Sequence, residues 1–290
     1  MKLIDVGMMV YGKPYHAAVA LHSLYKHSGH LINTIYVTLE KKQPFDVDME
    51  ILKELLEGLP VIYNVSKRFL GGGDMSGRGL AQRLKFYIPS YRKSIRYQHA
   101  WESSKSPYLF LLHNDMLFTG DLLGHYFEQI GDDLAVGTVG QCWNCPAYGN
   151  LCDGHRYFEY RPNAVQIAEL YEGGGDRRAV MQGLVGKLGW PLPECRLNEY
   201  VTLFNLKKAR RIGIPYGTVR PFGIANNLDF GIPWFRDVSL RGYKFKHVSF
   251  DDYAVHGYTS KSAGGTASLV KKELYDWEEE QANEMLKTIK

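Results

Sequence analysis

No stretch of this 290-residue chain approaches the roughly 20 consecutive apolar residues that a membrane-spanning helix needs, so nothing in it is expected to cross a bilayer. The start, Met1-Lys2-Leu3-Ile4-Asp5, has no long apolar core and carries an acid early, which argues against a secretory signal. The expected location is therefore the cytosol, with at most a peripheral contact at the inner face of a membrane. Neither sign of charge dominates: 35 basic and 31 acidic residues leave a net charge of +4, and no basic stretch is interleaved with aromatics, so nucleic-acid binding is excluded as a class. A mild basic excess suits a phosphorylated ligand or an anionic surface without singling out either. Cysteine is scarce, four in all, and in a cytosolic chain such residues are buried thiols or metal ligands rather than disulfides. There is no internal repeat. A glycine cluster, Gly71 to Gly79, lacks the Gly-Lys-Ser/Thr ending of a P-loop, so it reads as a surface loop before it reads as a phosphate cradle.

What is present is an ordinary globular composition, 45% hydrophobic and 23% charged, enough to bury a substantial core as one compact domain. The first half has a regular rhythm. Leu3 to Val10 is an apolar strand closing at Tyr11-Gly12, and Pro14 stands where a helix would begin. Ala17, Leu21, Leu24 and Tyr25 share one face of that helix, Pro14 to His27, with Gly29 as its C-cap. Thr34 to Leu39 is a second strand stopping at Glu40, Asp48 to Glu57 an amphipathic helix, and Val61 to Val65 a third strand. Tyr91 to Ser103 reads as one helix with Ser90 as N-cap. Strand and helix alternate, which predicts an α/β fold: a mostly parallel sheet flanked by helices, with its ligand crevice at the strand carboxyl ends.

The run Tyr108-Leu109-Phe110-Leu111-Leu112 is unbroken apolar sequence that ends abruptly in His113-Asn114-Asp115. That is how a fully buried parallel strand reads when its tip opens into a crevice. Tyr11, Glu40 and Asp115 all fall on this predicted edge.

These residues resemble the GT-A (Rossmann-like) fold of nucleotide-sugar glycosyltransferases, most closely glycosyltransferase family 2. The similarity rests on the opening strand with Tyr11-Gly12, the helix AAVALHSLYKH, the strand IYVTLE, the segment Ile95-Arg96-Tyr97-Gln98-His99-Ala100, and the strand ending His113-Asn114-Asp115. The last triplet corresponds to the family's DxD motif, with His113 in place of its first acid, so the resemblance implies Asp115 as the carboxylate that holds Mn2+ or Mg2+ against the donor's diphosphate. A hard octahedral ion needs only one or two protein carboxylates, since phosphates and water complete its shell. In the second half, Phe204 to Gly213, then Asn226-Asn227-Leu228-Asp229, a helix-like stretch from Ile232 to Leu240, Gly242-Tyr243 and finally Ala254-Val255-His256 follow the family's order of features. The resemblance is weakest from Cys142 to Tyr200. Three parts are implied: a nucleotide-sugar-binding half over residues 1–120, an acceptor-binding and catalytic half over 121–265, and a C-terminal amphipathic helix over 266–290.

The resemblance implies an inverting hexosyltransferase that moves a sugar from a nucleotide-diphosphate donor, a UDP-sugar first among them, to a saccharide or lipid-linked saccharide hydroxyl. Such an enzyme needs one general base. Asp229 is the first choice and Glu199 the rival, while Asp229 could instead cap the helix that follows it. His256 would join Asp115 at the metal or contact the diphosphate. Tyr11 would stack on the nucleobase, Glu40 accept a hydrogen bond from base or ribose, and Arg96, one helical turn from Arg92, reach the diphosphate, with Asn114 beside it. A retaining transferase on the same fold is the nearest alternative, and a non-catalytic nucleotide- or sugar-binding module the alternative from another class.

Cys142-Trp143-Asn144-Cys145 is a CxxC, followed by Cys152 and, further on, Cys195. Together the four have the ligand count for structural Zn2+, with His155 able to replace Cys195; ordinary buried thiols are the other reading. Gln141 to Tyr200, rich in Tyr, Arg and Trp, is expected to be the acceptor-side insertion. Ala267 to Lys290 reads as an amphipathic helix that packs on its own domain or on a partner subunit of a homo-oligomer.

Overall fold

The computed structural model describes residues 2–70, 80–140, 145–174, 177–225, 227–259 and 267–290. Nine strands are present among them: β1 Ile4–Val10, β2 Ile32–Leu39, β3 Val61–Val65, β4 Tyr108–Leu112, β5 Met116–Phe118, β6 Ala135–Val139, β7 Leu197–Asn205, β8 Lys246–His247 and β9 Ala254–His256. The helices are α1 Pro14–Ser28, α2 Glu50–Leu55, α3 Leu80–Lys85, α4 Pro89–Arg92, α5 Gln98–Ser103, α6 Leu122–Gln129, α7 Ala164–Glu172, α8 Arg177–Met181, α9 Leu206–Ile212, α10 Ile232–Ser239 and α11 Lys272–Ile289. No helix among the described residues is long and apolar enough to cross a membrane.

Seven strands form one sheet in the order β3-β2-β1-β4-β7-β6-β8, and β5 pairs with β9 in a separate ribbon. The four strands expected from the sequence, β1 to β4, are mutually parallel, and β7 is inserted antiparallel between β4 and β6. The sheet is thus mostly parallel and flanked by helices, as the alternation predicts. Its two faces follow the period of two along each strand. Ile4, Val6, Met8, Val10, Phe110 and Leu112 enter one core with α1, while Met9, Leu109 and Leu111 enter the other with Trp101, Phe204 and Trp234.

Helix α1 begins with Pro14 at its first position, where a missing N–H costs nothing. It is buried on most of its circumference because α11 covers the side that the sheet does not, which is why its middle reads Ala17-Ala18-Val19-Ala20. Helix α11 therefore packs on its own domain. Two of its acids go inward: Glu278 accepts from Lys13 Nζ at 2.5 Å, and Glu279 holds His16 Nδ1 at 2.5 Å and accepts from the Tyr15 N–H. Lys13 itself is left-handed, and its N–H donates to the Tyr275 hydroxyl at 2.7 Å. Gly12 before it has φ +69, and a Cβ there would come within 2.5 Å of Pro44, so this tight turn out of β1 requires glycine.

Two local expectations need correction, and a third, the Gly29 C-cap, holds with a different backbone conformation. Tyr91 to Ser103 is not one helix: α4 ends at Arg92, Tyr97 takes φ 68, and a new helix starts at Gln98. Ser90 is not an N-cap, since α4 starts one residue earlier on Pro89, with Ile88 in the cap position. Gly29 does follow α1, with its N–H bonded to the Tyr25 carbonyl, but in a right-handed conformation rather than the left-handed one a C-cap glycine usually supplies.

Candidate active site

β4 ends at Leu112, and the His113 N–H still donates to the Tyr200 carbonyl of β7 at 3.1 Å. The next two residues turn off the sheet into β5. That strand pairs with β9 so that Met116 lies opposite His256, and the Gly257 N–H donates to the Asp115 carbonyl at 2.8 Å. The ribbon thereby carries His256 from far along the chain to the tip of β4. There its ring stacks on Tyr200, with centroids 4.4 Å apart and planes 17° from parallel, which fixes its orientation.

His113, Asp115 and His256 present ligand atoms that all lie within 4.8 Å of one another. His113 Nδ1 is 3.7 Å and His256 Nε2 3.4 Å from Asp115 Oδ1. Asp115 Oδ1 and His113 Nε2 are both buried without a hydrogen bond. Burial alone would push the Asp115 carboxyl up; the His256 and His113 imidazoles outweigh it and hold the carboxyl well below the usual range. A buried carboxylate oxygen that has no hydrogen bond and faces two imidazoles at ion-pair distance can be completed by a cation, so this donor set fits a divalent metal. Two imidazoles and one carboxylate suit Mn2+ better than Mg2+, which prefers oxygen alone. The sequence pointed to Asp115 and His256; His113, which it presented only as a missing acid, completes the group.

A second charged cluster adjoins the first. Arg196, just before β7, reaches Glu199 Oε2 at 2.7 Å and Asp229 Oδ1 at 3.1 Å with the same nitrogen, and it also donates to the Phe230 carbonyl. Glu199 Oε1 in turn lies 3.3 Å from His113 Nε2. Asp229, Arg196, Glu199, His113, Asp115 and His256 therefore form one continuous chain of charged and titratable groups. The two carboxylates differ in access, with side-chain exposures of 3% for Glu199 and 25% for Asp229. Burial pushes Glu199 up, but Arg196 and His113 prevail and its carboxyl stays well below the ordinary range. Glu199 sits inside strand β7, and Asp229 is not a helix cap: Gly231 takes that place, and Asp229 Oδ1 accepts from the neighbouring Phe230 N–H.

Arg96 occupies the break between α4 and α5, where its backbone bridges to Gly223; a Cβ on Gly223 would collide with the Arg96 carbonyl. Its guanidinium lies 4.5 Å from the Phe230 ring centroid and 5.4 Å from that of Tyr97, and its Nε is buried without a partner. The charge bears on Glu40 at the end of β2 and on the His113–Glu199 contact, so Arg96 lies near both. Arg92 does not accompany it: the broken helix turns Arg92 inward, onto Glu102 at 2.7 Å. Tyr97 is a residue the sequence reading missed. Buried, left-handed and with an unpartnered hydroxyl beside Arg96, it stores local strain where the site needs position, and burial raises its phenol. Arg196 was also missed; its only signal was an arginine three residues before Glu199.

Of the remaining candidates, Tyr11 follows β1 with its ring 5.8 Å from that of Phe69. Glu40 is buried at the end of β2, where its oxygens accept from the backbone of Lys41 and Leu70, and burial raises its pKa. Asn114 stands half-buried on the turn between His113 and Asp115. Behind the metal group, His16 Nε2 contacts Thr259 Oγ1 at 2.7 Å, tying α1 to the loop after His256. Cys142, Asn226 and the glycine cluster lie outside the described residues. Cys145, Cys152 and Cys195 line one small cavity together with Tyr157 and Glu194. No second group of three metal-ligating side chains converges among the described residues, and the ring of His155 is set against His247.

No family model and no curated protein matches the chain. Among solved structures, mouse xyloside xylosyltransferase 1 in its apo form is 15% identical, with 85% of this chain and 86% of that one covered and a TM-score of 0.42. The mannosyltransferase PcManGT from Pyrobaculum calidifontis, in complex with GDP-Man and Mn2+, is 10% identical over 99% and 73% of the two chains, with a TM-score of 0.48. S. aureus TarS 1–349 is 11% identical over 88% and 60%, with a TM-score of 0.44.

Proposed function

We propose that the chain is a metal-dependent, inverting glycosyltransferase of the GT-A type that takes a nucleotide-diphosphate sugar, a UDP-sugar first among candidates, and a saccharide or lipid-linked saccharide acceptor. The observation that carries this reading is the unsatisfied, buried Asp115 Oδ1 between two imidazoles at the carboxyl end of a parallel strand, with an arginine-held carboxylate pair alongside.

His113, Asp115 and His256 would hold the ion, which when bound offsets the charge that develops on the leaving diphosphate. Tyr11 offers an aromatic face to the base at the end of β1, and Arg96 supplies a fixed positive charge between base and diphosphate. Asp229 is the base: it is the accessible member of the carboxylate pair, and a carboxylate within reach of the acceptor hydroxyl takes its proton as the anomeric carbon is attacked from the opposite face. Glu199, deep and doubly held, positions Arg196 and His113, and so sets the spacing between the base and the metal ligands.

The test is a thermal-shift screen of nucleotide sugars with and without Mn2+, followed by product analysis. A donor that binds only the folded state raises Tm by mass action, and the shift should appear only with the metal present. Donor stabilisation that is unchanged in excess EDTA would remove the metal from the reading, and a product that keeps the donor's anomeric configuration would replace inversion by retention.

A further inference from the structure

Charge is distributed unevenly along the chain. Residues 67–70 and 83–96 contain seven of the 35 basic residues and none of the 31 acids, so the rest of the chain is net acidic. Arg92 and Arg96 are turned inward, whereas Lys67, Arg68, Arg83, Lys85 and Lys93 are exposed. Packing gathers four of them: Arg68 and Lys85 both lie 5.9 Å from the Tyr91 ring centroid, and the Arg68 N–H donates to Ser94 Oγ at 3.0 Å beside the cleft of Lys67 and Lys93. Lys67 and Lys93 line one cleft together with Asn64, Ser90 and Ser94. The Ser94 hydroxyl is buried and donates to the Ser90 carbonyl at 2.9 Å, which leaves two ammonium groups, the Ser90 hydroxyl and an amide as the donors that a phosphate group takes.

Val65 and Pro89 line this cleft as well, and the segment that leads into Pro89 exposes further apolar side chains. Val65 is 58% exposed, Leu84 60%, Tyr87 49% and Ile88 47%. Single exposed hydrophobics are ordinary, but four of them beside five cations, with no acid in the same segments, make the composition of a surface that rests in a headgroup layer. A soluble polyanion would be served by the cations alone; the apolar side chains need an acyl boundary.

We propose that this face docks the protein on an anionic bilayer, with a lipid phosphate in the Lys67–Lys93 cleft and Leu84, Tyr87 and Ile88 at the level of the headgroups. The face adjoins the carboxyl end of β3, on the rim that also carries Tyr11 and Glu40, and Phe69 joins the two through its ring contact with Tyr11. Docking there would turn the mouth of the crevice toward the membrane. The inference stands apart from the proposed activity, because its evidence is the surface alone.

The experiment is co-sedimentation of the full chain with phosphatidylcholine vesicles prepared with and without phosphatidylglycerol. Binding is expected only to the anionic vesicles and should weaken as salt shortens the screening length. Each surface cation contributes about fivefold to such partitioning, so Lys67→Glu with Lys93→Glu should lower it roughly 25-fold or more. Leu84→Ser with Tyr87→Ser should also release the protein from vesicles. Lys207→Glu with Arg211→Glu, in the basic groove at the amino end of β4, should leave binding unchanged. Equal binding to neutral vesicles, or loss in the Lys207 and Arg211 variant alone, would overturn the proposal. If the serine variant binds vesicles as before, the apolar side chains take no part and the placement of this face at the headgroup level is overturned. Should the glutamate variant fail to fold, the serine variant and the salt titration of the unaltered protein decide the matter by themselves.

Discussion

The two halves of the sheet deliver their candidate residues to the crevice in different ways. From β1 to β4 every strand runs in the same direction, and Tyr11, Glu40 and Asp115 each sit just past a strand's carboxyl end. Beyond β4 the direction reverses: β7 enters the sheet at the crevice, so its amino end carries Arg196 and Glu199, while Asp229 and His256 arrive on a loop and on a separate ribbon. The first half offers mostly neutral or backbone-satisfied groups to a ligand; the second half supplies fixed charge pairs. On the proposed function, donor recognition and proton transfer fall to different stretches of chain, and substitutions should separate them.

The largest effect is expected at the joint between the halves. Asp115→Ala removes the only carboxylate from the metal group, so transfer should fall to background and metal-dependent donor stabilisation should vanish together; a variant that still binds donor in an Mn2+-dependent manner would show that the imidazoles alone suffice. Next comes Asp229→Asn, which should leave donor binding intact in the same assay while turnover falls by roughly 10² or more, the scale of general-base catalysis. Glu199→Gln should behave differently from both. It leaves the buried Arg196 with Asp229 alone, and breaking a buried ion pair costs on the order of 3 kcal/mol, so a lower denaturation midpoint is expected before any specific loss of chemistry. Normal stability with dead turnover in Glu199→Gln would exchange the roles of the two carboxylates.

A third effect belongs to the second half only. If Cys142, Cys145, Cys152 and Cys195 hold structural Zn2+, protein purified without chelator should contain about one zinc per chain. Replacing Cys142 and Cys145 should then loosen the insertion, as read by proteolysis, without altering donor affinity. A zinc-free, protease-resistant protein would return the thiols to ordinary packing.

The smallest effect is a pH dependence at His247. Its Nδ1 accepts from the Val139 N–H at 3.0 Å, and burial, aided by neighbouring His155, lowers its pKa from the ordinary 6.5. The unfolded chain therefore takes up the proton first. The stability this group contributes is fully present above 6.5 and is lost as pH falls through the lower folded-state value. His247→Asn keeps an acceptor near the Val139 N–H but does not titrate, so its urea midpoint should change less between neutral and acid pH than that of the unaltered protein.

The parallel half was legible because its signal is local. An apolar run followed by a polar tip names both the strand and the edge it faces, and Val61–Val65 was placed to the residue. The break at Tyr97 was not legible: no proline or glycine marks it, and the turn is imposed by Gly223 packing against the Arg96 backbone. Strand β7 was hidden for a related reason. Its polar residues Asn198, Glu199 and Thr202 are fully or almost fully buried; Arg196 satisfies Glu199, the Asn198 carbonyl accepts from Thr202, and the Gly140 carbonyl accepts from Asn198 Nδ2 while Asn198 Oδ1 has no hydrogen bond. Pairing across many residues cannot be seen in a pattern of neighbours. His256 reached the metal group by the same kind of distant pairing, and only the resemblance to a known order of features pointed to it.

The clasp between α1 and α11 sets a timetable. Lys13 and its partners Tyr275 and Glu278 are separated by 262 and 265 residues of chain. A ribosome working at roughly 5–20 residues per second needs on the order of tens of seconds to cover that distance. Throughout that interval β1 and α1 have left the tunnel, while the lysine at their junction has no acid to meet and one flank of α1 has nothing to cover it. The nascent chain must spend this time partly open, and closing so long a loop is a slow step. The turn that leads out of the first strand into the crevice is made long before the residues that lock it in place.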